Sequence, residues 1–198
     1  MTSSYTVDNQ GKAIKDSVTM EAADSFDMGA GHVDPRAALD PGLVYDMAPL
    51  DYIDFLCSLN YTRRQISLLT KEPVSCPKSS FEAVDLNYPS FFVVFKSGNN
   101  SIKVSRRSVT NVGAEGNVLY RVSVKSPPGV NISVEPQTLV LKKLYDKASY
   151  NVKFESNRRS PSASESELYD FGEIRWTCID GGTQVVRSPV AFTWQSSN

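Results

Sequence analysis

One histidine, His32, and three cysteines are all that this chain of 198 residues offers to a borderline metal. A zinc site that needs two or three imidazoles is therefore excluded, and no Cys-x-x-Cys spacing takes its place. A hydroxyl nucleophile would have one candidate base. Long apolar runs are also missing, since nothing approaches the ~18 consecutive residues of a membrane span. Neither sign of charge is in excess: 21 Lys+Arg stand against 22 Asp+Glu, for a formal charge of −1. A nucleic-acid or anionic-membrane partner would need a local basic patch, whereas Arg63-Arg64, Arg106-Arg107, Lys142-Lys143 and Arg158-Arg159 lie scattered along the chain as solvated edges do. No nucleic-acid, membrane or cofactor partner is expected. The first ten residues are polar, without the charged-then-apolar order of a secretory signal.

What is present divides in three. Residues 1–48 hold few apolar runs and the glycine-rich stretch Phe26 to Pro35, and they read as extended or irregular chain with one short helix at most. From Asp51, Tyr52, Phe55, Leu56 and Leu59 recur at helical intervals behind acidic Asp51 and Asp54. Thr62 to Thr70 follows as a second helix, with Thr62 as its N-cap and Ile66, Leu68 and Leu69 together. Beyond Val84 the period becomes two, with strands expected at Phe91–Phe95, Ile102–Ser105, Val118–Val124, Asn131–Glu135, Thr138–Leu141, Tyr150–Phe154, Phe171–Trp176 and from Val185 to Trp194. Seven or eight short strands divided by Gly, Pro, Asn and Ser predict a mainly β protein, an antiparallel sandwich of immunoglobulin or fibronectin type III character, with a β-barrel as the competing closure. Glu155 to Glu167 reads as a long exposed loop.

Chemistry is sparse. No Gly-x-Ser-x-Gly elbow accompanies the serines, and His32 reads as a structural residue of a Gly-His-Val-Asp-Pro turn rather than a base. Gly29-Ala30-Gly31 lacks the third glycine and the preceding strand of a dinucleotide fingerprint. Asp40, Asp46, Asp51 and Asp54 match no calcium loop, and two have helix N-terminal roles. Tyr88, Phe91, Tyr120, Phe154, Trp176, Phe192 and Trp194 fall on strand alternations and read as core. Cys57 and Cys76, close in sequence on either side of the helical pair, are candidates for a small-loop disulfide, which leaves Cys178 over. Three N-glycosylation sequons, at Asn60, Asn99 and Asn131, suggest an exported parent.

The ordered motifs Phe26 to Pro35, Ala38 to Asp46, Asp51 to Cys57, Asp85-Leu86-Asn87-Tyr88-Pro89-Ser90-Phe91, Arg107 to Gly113, Gly172 to Trp176 and Val186 to Val190 resemble the C-terminal portion of plant subtilisin-like serine proteases, over essentially the whole chain. The resemblance implies a remnant of the catalytic domain at 1–48, a helical linker at 49–82 and a fibronectin type III-like domain at 83–198. It also implies that the catalytic Asp, His and Ser lie upstream, so no residue here, His32 included, is expected to be catalytic, and it supports the Cys57–Cys76 bridge. The expected partner is a subtilisin-like catalytic domain in cis, in an extracellular setting, and the sandwich is expected to fold from about Val84, with 1–48 partly disordered. The competing function is a free-standing module that binds a full-length subtilase as decoy or regulator; an active hydrolase built on His32 is the remote third.

Overall fold

Two-residue alternation becomes a sandwich once the strands pair. In the computed structural model, which describes residues 1–76, 81–95, 101–113, 117–158 and 168–195, one sheet carries β1 (Leu43–Val44), β3 (Ser101–Asn111), β7 (Lys147–Ser156) and β5 (Val130–Glu135) in that order. The second carries β2 (Phe91–Phe95), β9 (Val185–Trp194), β8 (Tyr169–Cys178), β4 (Val118–Lys125) and β6 (Thr138–Leu141). The strands pair antiparallel, apart from β2, which runs parallel to β9 with Phe91 opposite Val190.

β5 shows the alternation at its simplest: Val130, Ile132 and Val134 point in, and Asn131, Ser133 and Glu135 point out. The inward sets meet around Trp176, Tyr120, Tyr150, Phe154 and Phe192, each no more than 1% exposed. Edge-to-face contacts pair Tyr150 with Trp176 at 5.0 Å and Phe154 with Phe192 at 5.8 Å, the geometry that ring quadrupoles favour. Of the aromatics expected in this core, Tyr88 is the exception, being 40% exposed. β9 breaks the alternation, since every residue after Val185 is buried. Its inward residues face the core, and residues 1–48 cover part of its outer face.

Those first residues depart from the expectation of one short helix at most. Asp24 caps α1 (Ser25–Met28) by accepting from the Phe26 and Asp27 amides, and Asp34 caps α2 (Pro35–Leu39) in the same way, with Pro35 at the first helical position. The sandwich also begins earlier than Val84, because Leu43 is 0% exposed inside the core and β1 pairs with the end of β3. The Gly42 turn that delivers it has φ +72°, and a Cβ there would lie 2.3 Å from the Tyr120 hydroxyl, so only glycine fits without strain.

α3 (Pro49–Ser58) and α4 (Arg63–Thr70) form the expected helical pair. Asp51 accepts from the Ala48 amide at 2.7 Å, and Thr62 caps α4 in a capping box with Gln65. Ile66 is fully buried, but Leu68 and Leu69 are 75% and 70% exposed, so the three do not share one packed face. Two and three residues are 200° and 300° of helix, which turns Leu68 to the far side. β7 extends to Ser156, so the strand takes the start of the segment expected as a loop, and residues 159–167 of it lie outside the described residues.

Candidate interaction surface

The covered face of β9 is where residues 1–48 are fastened to the sandwich. The Arg187 amide donates to Thr2 O at 2.9 Å, and Arg187 Nη1 donates to Ala30 O at 2.6 Å. Its Nε pairs with Glu173 on β8, a carboxylate that also receives Arg175 Nε. Burial alone would raise the Glu173 carboxyl, but hydrogen bonds from Arg175 and Arg187 and their charges outweigh it and hold the group below the usual carboxylate range. Arg187 is 8% exposed, and it joins a half-buried backbone carbonyl to a half-buried acid across the seam.

Apolar contacts reinforce this seam. Phe26 on α1 meets Tyr169 and Phe171 edge-on at 5.0 and 5.1 Å, and Phe92 at 6.5 Å, all on the outer side of the five-stranded sheet. Between the two sheets, the Tyr45 hydroxyl bridges Tyr150 on β7 at 2.7 Å and Ser188 on β9 at 3.1 Å. Burial, with the Tyr45 hydroxyl beside it, pushes the Tyr150 phenol well above its ordinary value, so this network stays neutral at physiological pH. Asp46 accepts from the Thr110 hydroxyl at 2.5 Å and pairs with Lys147 at 3.2 Å. The Thr110 hydrogen bond, against a smaller opposing effect of burial and with help from Lys147, lowers its carboxyl.

The acids singled out by sequence go to separate tasks: Asp46 to Thr110, Asp51 to the α3 cap, and Asp40 to Gln184 Nε2 at 2.5 Å. Among the described residues no group of three or more His, Cys, Asp or Glu could hold a metal ion. His32 exchanges backbone hydrogen bonds with Tyr5 and stacks on its ring at 5.6 Å. Cys57 and Cys76 are joined by a disulfide across a Cα–Cα distance of 5.6 Å. Cys178 is a buried free thiol on β8. Asn60 follows α3 with φ 63° and is exposed, as is Asn131 on β5, whose Nδ2 donates to Glu155 at 3.2 Å. Asn99 lies outside the described residues.

Sequence reasoning missed Arg187, Glu173 and Tyr45. A signal existed for the first, because an arginine inside the otherwise apolar run from Val185 to Trp194 needs a buried acceptor. What this arrangement does is hold residues 1–48 on the sandwich. Several large apolar side chains are left uncovered there: Val18 (87%), Val33 (76%) and Leu39 (88%) before β1, and Leu50 (68%) on α3. Large exposed apolar side chains are the usual material of an interaction surface.

Comparison with known proteins gives that surface a context. The profile of the fibronectin type-III domain matches residues 85–192. Subtilisin-like protease SBT1.4 of Arabidopsis thaliana is 41% identical over 198 residues, which is 98% of this chain and 25% of the relative. SBT1.7 of the same plant is 42% identical, covering 98% of this chain and 24% of the relative, and SBT3 of Solanum lycopersicum is 41% identical, covering 98% and 26%. The chain thus spans about a quarter of the length of the curated relatives it matches. Likeness to solved structures is looser, with 12% identity and a TM-score of 0.39 to a PapD-like domain of human CEP192, over 63% of this chain and 100% of that one.

Proposed function

This chain belongs to the fibronectin type-III domain family, and from that premise we propose that it is the non-catalytic C-terminal part of a secreted subtilisin-like serine endopeptidase, which buttresses the catalytic domain in cis. The observation that carries the reading is the uncovered apolar surface of residues 1–50, anchored to the sandwich through Arg187, Phe26 and Leu43 and left open on its other side. Alignment of nearly the whole chain with a quarter of several plant subtilisin-like proteases supplies the body that would cover it. In this reading residues 1–48 are the end of the catalytic domain, lending the edge strand Leu43–Val44 to the sandwich, 49–82 are a helical linker and 83–198 hold the rest of the sandwich. No residue of the chain serves as nucleophile, base or oxyanion donor. Its setting is extracellular, with glycans on Asn60, Asn99 and Asn131 and the Cys57–Cys76 bridge formed.

Two measurements test it. The purified chain should neither cleave a generic peptide substrate nor be labelled by a fluorophosphonate, and serine-dependent turnover would overturn the claim. Supplied in trans to a subtilisin-like protease truncated before the matching quarter, the chain should restore soluble, active enzyme, and Leu39→Asp together with Val33→Asp should abolish that rescue while leaving the chain folded. The same open surface also suits a free-standing module acting on a complete subtilase. Saturable binding to the intact enzyme, without rescue of the truncated one, would favour that second reading.

A further inference from the structure

A groove of about 540 Å³ runs between α3 and β2, the edge strand of the five-stranded sheet. Phe55 and Leu59 from α3, Val84 and Leu86 from the segment before β2, and Phe92 and Val94 from β2 make its apolar lining. Two cations, Lys103 and Arg107 from β3, and one acid, Glu82, complete it. Size and lining are those of a small-molecule cleft, and two positive groups against one negative favour an anion.

Arg107 is the uncommon element. It is 3% exposed, with its guanidinium carbon 4.2 Å over the Phe91 ring. Nε donates to Tyr88 O, and Nη1 donates to Val84 O, Ser105 Oγ and Arg106 O; none of these hydrogen bonds uses Nη2. Among the described residues Arg107 has no ion pair, for Asp85 acts on it only through its field. Burial holds its proton affinity below the ordinary arginine value, a fall that the fields of Tyr150, Tyr45 and Asp85 offset only in part. Buried guanidinium groups normally meet a carboxylate or phosphate that uses both terminal nitrogens, and a buried charge without its partner is costly.

We propose that this groove binds a monocarboxylate with an unbranched apolar tail, of the fatty-acid type. The carboxylate meets Arg107 Nη2 with Lys103 beside it, and the tail lies along Leu59, Phe92 and Val94 between α3 and the sheet edge. Headgroup and tail each answer a feature of the site: the unmatched cation and the apolar walls. The groove shares α3 with the surface that a catalytic domain would cover, but ligand binding by the chain alone is a separate measurement from rescue of a truncated protease, so the two readings fail separately.

Isothermal titration calorimetry of the whole chain with decanoate tests it, with decanol as the uncharged analogue and decyltrimethylammonium as the cationic one. One-to-one binding of decanoate is expected, at least tenfold tighter than decanol, with no saturable binding of the ammonium. Arg107→Met risks unfolding, so the informative variants are Leu59→Asp, at a residue 46% exposed, which should abolish binding, and Lys103→Gln, which should weaken it about threefold by removing one rim charge. Equal affinity for decanoate and decanol, no binding of either, or binding untouched by Leu59→Asp overturns the proposal. Tighter binding of a leucine-rich peptide with a free C-terminus than of decanoate overturns the fatty-acid assignment.

Discussion

Replacing Leu43 with alanine asks whether the residues ahead of the sandwich are part of its core or merely lie on it. Leu43 is 0% exposed and belongs to the same buried cluster as Tyr120 and Trp176, although more than forty residues separate it from β2. Truncating a buried leucine removes its transfer energy and leaves a cavity, together about 2–5 kcal/mol. β1 is only two residues long and edges its sheet, so part of that cavity can collapse, and a cost near 3 kcal/mol is expected. For a domain of this size that is a fall in Tm of roughly 6–12 °C. Leu39→Ala is the control: only four positions earlier, but 88% exposed, it should change stability by no more than about 0.5 kcal/mol. Urea unfolding followed by tryptophan fluorescence reports the sandwich directly, because Trp176 and Trp194 both lie in that core. If Leu43→Ala shifts the transition no more than Leu39→Ala, residues 1–48 are not integral to the sandwich and its core assignment fails.

Three further outcomes are expected. Tyr45→Phe should cost about 1–3 kcal/mol by thermal denaturation, since it leaves the Tyr150 hydroxyl and the fully buried Ser188 hydroxyl short of a partner. Glu173 has a folded-state pKa held below its unfolded value, so its contribution is complete above the unfolded pKa and is lost as pH falls through the folded one. Glu173→Gln should therefore destabilise the chain near neutrality and flatten the acid limb of a stability–pH curve, and an unaltered limb would show that the Arg187 cluster contributes nothing. Gly42→Ala should cost more than about 1 kcal/mol, because it combines a positive φ with a collision against Tyr120; a neutral or stabilising result by urea titration would mean that the turn relaxes freely.

The strands that alternate cleanly were legible. Val130, Ile132 and Val134 announce an inward face by their spacing alone, and the Thr62–Gln65 capping box announces α4. What could not be read were elements set by contacts distant in sequence. Leu43–Val44 is too short to carry a period, and it is a strand only because Asn111 and Thr110 lie opposite it. β3 runs on through Arg106, Arg107 and Ser108, polar residues that look like a break, because Arg107 turns inward to carbonyls of the segment before β2. The candidate surface was partly legible: the resemblance pointed to a catalytic domain as partner, but nothing in the spacing showed that Phe26 and Arg187 would fasten residues 1–48 to β8 and β9.

By itself, the sequence determined local matters and exclusions: which segments alternate, where helices start, that a lone histidine and a balanced charge leave few chemistries open, and which family the motifs resemble. These depend on near neighbours, whose spacing is written along the chain. The tertiary structure decided where distant groups meet: that the outer face of β9 is covered, that two arginines hold the Glu173 carboxyl below its usual range, that the sandwich core begins at Leu43, and that a buried Arg107 helps line an apolar groove. Burial and charge compensation are sums over contacts brought together by folding, so no local pattern encodes them.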